Sequence, residues 1–240
     1  MAGAGRRPAP AGAADAAPGA VHPRHPLPWL VHAVGMVLLR MLTALAWNCR
    51  VRRAREVPAG ACVYAANHRS FLDPPAIGMC AHRPLSFFAR ASLWRNPFFR
   101  LMLGLFSGIP VERENPGMSS MKGAVERLRQ GIPVVVFPEG TRTKDGRLGP
   151  LREGPALFAR RAGVPVVPVY LFRTERAWPR GSAFPVLRGG RIEIRFGRPL
   201  VAPAHLAPRE ADAWVMRRLA AWLAANERML MGPRPGDKGG

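Results

Sequence analysis

Apolar residues in the middle of this chain fall into short β-branched runs, separated by longer stretches in which they recur every three or four positions. Ile132-Pro133-Val134-Val135-Val136 reads as a buried strand, and so does Val164-Pro165-Val166-Val167-Pro168-Val169 with its continuation to Leu171. Residues 61–65 and Ser86–Arg90 read as two more strands. Helices are expected over residues 73–79, over residues 119–130 with Gly131 as the stop, and over Gly154–Ala162. The double proline Pro74-Pro75 fits a helix only at its start, where no backbone N–H is needed. Residues 191–196 alternate apolar and charged side chains, which predicts a half-exposed strand at a sheet edge. Residues 210–229, with Trp214, Leu219 and Leu223 among their apolar positions, are expected to close the fold as an amphipathic helix. Strands alternating with helices predict an α/β fold: a single domain with a mostly parallel central sheet flanked by helices and its site at strand ends. No internal repeat and no second domain is visible.

The start of the chain follows a different pattern. Residues 1–28, rich in Ala, Gly and Pro, are expected to be a disordered tail. Residues 29–39 are then apolar nearly all round, Arg40 interrupts them, and residues 41–47 resume the run. Its length approaches the roughly 20 residues of a membrane span. Arg40 near the middle would cost a simple span about 2.5–3.5 kcal/mol, whereas Trp29 and Trp47 suit the headgroup zone at either end. Arg6, Arg7 and Arg24 precede the run, and Ala44-Leu45-Ala46 resembles a cleavage site, so a signal peptide has to be weighed. The leader would be longer than the usual roughly 15–30 residues, and Arg40 would sit just before the cut. A retained membrane-associated helix over residues 29–50 is the preferred expectation, on the cytoplasmic face of the cell membrane, as the basic flank predicts. The domain proper would then occupy residues 51–230, with a loose tail over 231–240. Residues 93–106 mix Trp94, Phe98, Phe99 and Phe106 with Arg95 and Arg100, as an interfacial helix would.

Charge and composition narrow the partners. The 240 residues hold 36 Lys and Arg against 15 Asp and Glu, a formal charge of +21. Only Lys122, Lys144 and Lys238 are lysines, and no nucleic-acid motif accompanies the arginines, so an anionic lipid surface is a better match than nucleic acid. Three scattered cysteines, Cys49, Cys62 and Cys80, form no CxxC and argue for reduced thiols. His22, His25, His32, His82 and His205 lack partners at metal-ligand spacing, and no metal or cofactor is expected.

Candidate chemistry sits in two segments. In Asn67-His68-Arg69-Ser70-Phe71-Leu72-Asp73, a histidine and a carboxylate follow the first strand closely. Asp73 would fix the imidazole tautomer of His68 and leave the ring a base near neutral pH; the same pair would also serve as a loop hydrogen bond. In Phe137-Pro138-Glu139-Gly140-Thr141-Arg142-Thr143, a turn after the 132–136 strand offers hydroxyls and a guanidinium fork suited to phosphate. Glu139 is open to a role as second catalytic carboxylate, but structural support or binding of a substrate hydroxyl fits its turn better. Gly108-Ile109-Pro110-Val111-Glu112-Arg113 lies between these segments, and its Glu112 and Arg113 either pair with each other or meet a substrate.

Taken in order, the four blocks resemble the glycerolipid acyltransferase family, which includes the bacterial 1-acyl-glycerol-3-phosphate acyltransferases. The resemblance covers residues 51–200 and rests mainly on Asn67-His68-x4-Asp73 and on Phe137–Thr143, with Thr143 where the family carries Ser. It implies that His68 is the general base and Asp73 its partner. It implies too that Arg113, Glu139, Gly140, Thr141 and Arg142 hold the acceptor, lysophosphatidate. Arg90 stands where a phosphate-binding Lys is expected, which keeps the charge and changes its geometry. The expected reaction moves an acyl group directly from a thioester on coenzyme A or acyl-carrier protein, the co-substrate, to the lysolipid hydroxyl. The alternatives are the same transfer onto another lysolipid, and a basic membrane- or nucleic-acid-binding module without activity.

Overall fold

The computed structural model describes residues 44–54, 56–81, 85–97, 100, 108–111, 118–182, 185–186 and 190–232, together with positions 34, 35, 37, 38 and 41. Both expected tails (apart from Met231 and Gly232), Glu112, Arg113 and most of the 93–106 segment lie outside them. Seven strands form one sheet: β1 (Arg50–Arg53), β2 (Val63–Ala66), β3 (Ser86–Arg90), β4 (Gly108–Val111), β5 (Val134–Val136), β6 (Val166–Phe172) and β7 (Glu193–Phe196). Their spatial order is β1-β7-β6-β2-β5-β3-β4, and every neighbouring pair is parallel except β6 with β7.

β2, β5 and β6 are buried along their whole lengths, as strands covered on both faces must be, and this is why they are uninterrupted apolar runs. Helix α1 (Asp73–Ala81) covers one face of the sheet, packing Ala76, Ile77 and Cys80 with Tyr64, Phe87, Val135 and Val167. On the other face lie α2 (Met118–Arg129), α3 (Gly154–Ala162) and α5 (Pro208–Met231), whose Ala124, Leu128, Phe158, Leu219 and Leu223 join Val63, Val134, Val166 and Tyr170. The one-turn α4 (Thr174–Ala177) follows β6. Gly163 ends α3 in the left-handed conformation, with its N–H on the carbonyls of Ala159 and Arg160. Residues 91–95 form a 3-10 turn rather than part of an α-helix.

The alternating segment is not an edge strand. β7 lies between β6 and β1, and the edge belongs to β1, all four of whose residues, Arg-Val-Arg-Arg, are exposed. Glu193 is only 1% exposed because Arg52, Arg191 and Arg195 all reach its carboxylate, so its place in the alternation does not point to water. Charged side chains on the true edge discourage pairing with other chains. Pro168, which has no N–H to give, marks where the β6–β7 ladder stops: pairing runs from Val169 to Phe172, and beyond the gap Leu200 bridges back to Val166.

In the apolar N-terminal segment, positions 34, 35, 37, 38, 41 and 44–47 are helical. Val34, Val37, Leu38, Met41 and Leu45 are exposed, whereas Trp47 is buried in the core and donates its indole N–H to the Val186 carbonyl at 2.7 Å. Among the described residues no helix is long and apolar enough to cross a membrane.

Gly197, just after β7, lies against the ring of Trp222 on α5. A Cβ there would come within 2.8 Å of the indole. Gly197→Ala is therefore expected to lower stability by about 1–3 kcal/mol, as overpacking does, read as a drop in Tm with the circular-dichroism spectrum of the folded protein retained.

Candidate active site

β2, β3, β5 and β6 run parallel, so their C-terminal ends open on one side of the sheet. At such a position the chain leaves in loops that can carry function. The loop after β2 holds His68, the turn after β5 holds Glu139, and the end of β6 leads to Thr174. Counting on from the pairs Ser86–Val134 and Val63–Val134 places the Arg90 backbone, at the end of β3, level with Asn67. Arg113 is outside the described residues.

Asp73 is the first residue of α1 and has no exposed surface. Its Oδ2 accepts the backbone N–H groups of Arg69 at 2.6 Å and Ser70 at 2.7 Å, and meets His68 Nδ1 at 2.8 Å. Its Oδ1 accepts the Thr174 hydroxyl at 2.6 Å. An ionised carboxylate only accepts, so the Nδ1 proton must lie on the imidazole, and the lone pair is left on Nε2. The ring stacks on Phe137 with centroids 4.0 Å apart and planes 16° from parallel, which fixes its orientation from the side. Its side chain keeps 19% of its surface exposed, enough for a substrate to reach it.

The surrounding loop is held by side chains rather than by strand pairing. Asn67 extends the β2–β6 ladder with its amide, donating to the Leu171 carbonyl at 2.9 Å and accepting the Leu171 N–H at 2.7 Å. Glu139 Oε1 accepts the His68 N–H at 2.8 Å, and its Oε2 accepts the Gly149 N–H at 2.9 Å. Thr143 N–H donates to the His68 carbonyl at 2.8 Å. Both segments that carry the sequence motifs are thus bonded to each other. Burial pushes the Glu139 carboxyl above its ordinary range, against the opposing pull of the Gly149 and His68 N–H groups. Those contacts fit the supporting role for Glu139.

Gly140 adopts φ +71°, and a Cβ there would press on the Arg152 guanidinium at 3.2 Å, so the turn needs glycine twice over. Thr141 is exposed beside it. The Arg142 guanidinium lies 3.7 Å from the centroid of the Phe71 ring, which brings this cation onto the His68–Asp73 loop. Ser70 is buried, donating its hydroxyl to the Trp178 carbonyl and accepting the Leu72 N–H.

Beneath the loop is a cluster that the sequence did not announce. Arg69, 1% exposed, sends Nη1 to both Glu175 oxygens at 3.1 Å and Nη2 to the Tyr170 hydroxyl at 3.0 Å. Burial disfavours its charge, but Glu175 and Tyr170 outweigh it and hold the guanidinium above its ordinary pKa. Glu227 of α5 accepts the Leu148 N–H at 2.6 Å and ties the loop after Arg142 to the last helix.

An acyltransferase family model matches residues 48–172, just over half of the chain and all of the site described above save Thr174, Glu175, Trp178 and Glu227. The chain belongs to the acyltransferase family. Among curated relatives, the chloroplastic 1-acyl-sn-glycerol-3-phosphate acyltransferase BAT2 of Brassica napus is 33% identical over 141 residues, covering 58% of this chain and 40% of that protein. The 1-acyl-sn-glycerol-3-phosphate acyltransferase of Bacillus subtilis is 29% identical over 196 residues, covering 80% of this chain and 91% of that one. The chain thus spans well under half the length of the chloroplastic relative and most of the bacterial one. The crystal structure of the 1-acyl-sn-glycerophosphate acyltransferase PlsC from Thermotoga maritima shares the fold, with a TM-score of 0.66 at 22% identity over 86% of this chain and 84% of that one.

Within this acyltransferase domain, the partners that sequence reasoning missed are Thr174, Arg69, Tyr170, Glu175 and Glu227. Thr174 is 101 residues from the carboxylate it serves, and no local pattern marks it. Arg69 stood inside the first motif, where its neighbours His68 and Asp73 drew the attention.

The raised Glu139 pKa has a consequence for stability. A carboxyl whose folded pKa exceeds its unfolded value holds more protons in the native state between the two, so its contribution falls as pH rises through that window. Measured by denaturant titration, wild type should lose stability relative to Glu139→Gln as pH climbs from the ordinary value of 4.5. The gap should stop changing above the raised pKa.

Proposed function

We propose that this acyltransferase moves a fatty acyl group from a thioester donor, acyl-coenzyme A or acyl-carrier protein, to the free hydroxyl of 1-acyl-glycerol-3-phosphate, giving phosphatidate. The observation that carries this is the His68 imidazole, tethered through Nδ1 to the buried Asp73 carboxylate at 2.8 Å while 19% of its side chain stays exposed. The names of the bacterial and chloroplastic relatives support the acceptor.

In this reading Nε2 takes the hydroxyl proton as the oxygen bonds to the thioester carbonyl carbon. Collapse of the tetrahedral adduct breaks the C–S bond, and the imidazolium returns its proton to the departing thiolate. Asp73 stabilises the imidazolium and holds the tautomer. No acyl-enzyme is needed: Ser70 is engaged by Trp178 and Leu72, and Cys62 and Cys80 are buried in the core. Arg142, Thr141 and Gly140 at the turn, together with Arg90 and Arg113, would bind the acceptor phosphate, which suits guanidinium forks. Glu139 would hold the His68 backbone in place. The exposed apolar positions between Val34 and Leu45 support an N-terminal helix lying against the cytoplasmic face of the membrane, where the lysolipid acceptor would be met.

The test is transfer from a labelled thioester to lysophosphatidate, wild type beside His68→Ala. Loss of a proton-transfer group should cost about 10²–10⁴-fold in kcat, and Asp73→Asn should fall in the same direction. Equal rates would remove His68 from the mechanism. Turnover by wild type on a different lysolipid alone would keep the chemistry and replace the acceptor.

A further inference from the structure

The β1 edge of the sheet carries a charge imbalance that the transfer reaction does not use. Arg52, Arg191 and Arg195 converge on Glu193, at 3.0, 2.5 and 2.6 Å. One carboxylate cannot neutralise three guanidiniums, so the cluster keeps two positive charges in excess. Arg50 lies on the same face of β1, two residues before Arg52, and makes no ion pair among the described residues. Arg53, on the opposite face, lies over Phe196 and donates to the Cys80 carbonyl. Side chains on this edge reach water: 62% of Arg52 and 39% of Arg191 are exposed.

An apolar group stands beside these cations: Met229 of α5 is exposed, and its sulfur lies 2.7 Å from Arg195 Nη1. Val51, on the opposite face of β1, is exposed too. More telling is the chain direction. The helical positions with exposed Val34, Val37, Leu38, Met41 and Leu45 end at Trp47, and three residues later the chain enters β1 at Arg50. An apolar segment followed at once by guanidiniums puts cations at the depth of lipid phosphates whenever the apolar side chains enter the acyl region.

We propose that the β1 edge, through Arg50 and Arg52 with the surplus charge of the Glu193 cluster, is a docking surface for the head groups of anionic phospholipids in a bilayer. The apolar N-terminal segment supplies attachment to any bilayer, and the arginine edge selects the charged one. This rests on the membrane-bound reading above for the apolar helix, and it is independent of the transfer chemistry. Because each arginine near such a surface contributes a factor of about five, from ~1 kcal/mol apiece, two of them are enough to decide between membranes.

The experiment is co-sedimentation of the full chain with vesicles of phosphatidylcholine alone and of phosphatidylcholine mixed with phosphatidylglycerol, at low and high salt. Wild type should prefer the anionic vesicles, with the preference shrinking as salt screens it. Arg50→Gln/Arg52→Gln should lose about 30-fold of that preference and keep wild-type binding to phosphatidylcholine. The single variant Arg50→Gln, whose side chain makes no ion pair among the described residues, should lose about fivefold with an unchanged Tm. Undiminished preference in both variants would overturn the proposal. So would equal vesicle binding accompanied by loss of RNA binding, which would assign the edge to nucleic acid. Acyl transfer in neutral detergent micelles, run on the same proteins, separates the two readings: no transfer by any of them, with the vesicle result intact, removes the reaction and leaves the docking surface standing.

Discussion

A carboxylate taken wholly out of water is several kcal/mol less stable unless its oxygens are bonded in place, and the loop around Asp73 is organised by that requirement. Four donors meet it: the imidazole of His68, the backbone of Arg69 and of Ser70, and the hydroxyl of Thr174. An aspartate at a helix start ordinarily accepts N–H groups of its own first turn. Here the next two residues are Pro74 and Pro75, which have none to offer, so the carboxylate turns back to the chain that precedes it. The double proline and the charge therefore act together: one removes the competing donors, the other closes the loop on itself and draws His68 in.

The remaining polar groups of the loop are satisfied from outside it. Asn67 borrows both backbone groups of Leu171, Glu139 accepts the His68 N–H, and Thr143 donates to the His68 carbonyl. With Arg69 locked on Glu175 and Tyr170 below, little of the loop can shift without breaking a bond to β5, β6 or α4. That rigidity is the preorganisation the proposed general base would need, since the hydrogen bond to an incoming hydroxyl forms only if the ring already points at it. It also explains why the two motifs, some seventy residues apart in the chain, are read together: each supplies the hydrogen-bond partners of the other.

The central sheet was legible because burial on both faces demands runs such as Val134-Val135-Val136, which have few other uses. The His68–Asp73 pair was legible because its members are five residues apart and joined within one loop. What failed to show were contacts whose two halves are far apart. Thr174 reaches Asp73 only because β6 delivers it, and Glu227 reaches Leu148 only because α5 folds back over the sheet. β1 was invisible for a different reason: Arg-Val-Arg-Arg carries no hydrophobic signal, and its place at the edge depends on Glu193, which was itself misread as facing water. Alternation of charge and apolar residues reports exposure only when the charges are unpaired, and here three arginines pair with one glutamate.

The central claim, that the Asp73 carboxylate fixes His68 with its proton on Nδ1 and its lone pair on Nε2, is tested most directly by ¹⁵N NMR of the labelled imidazole near neutral pH. The account predicts a protonated Nδ1 and a bare Nε2 in the neutral ring of the wild type, and a shift toward the opposite tautomer in Asp73→Asn, whose amide can donate to Nδ1. A wild-type ring carrying its proton on Nε2, or a tautomer ratio unmoved by the substitution, would contradict it.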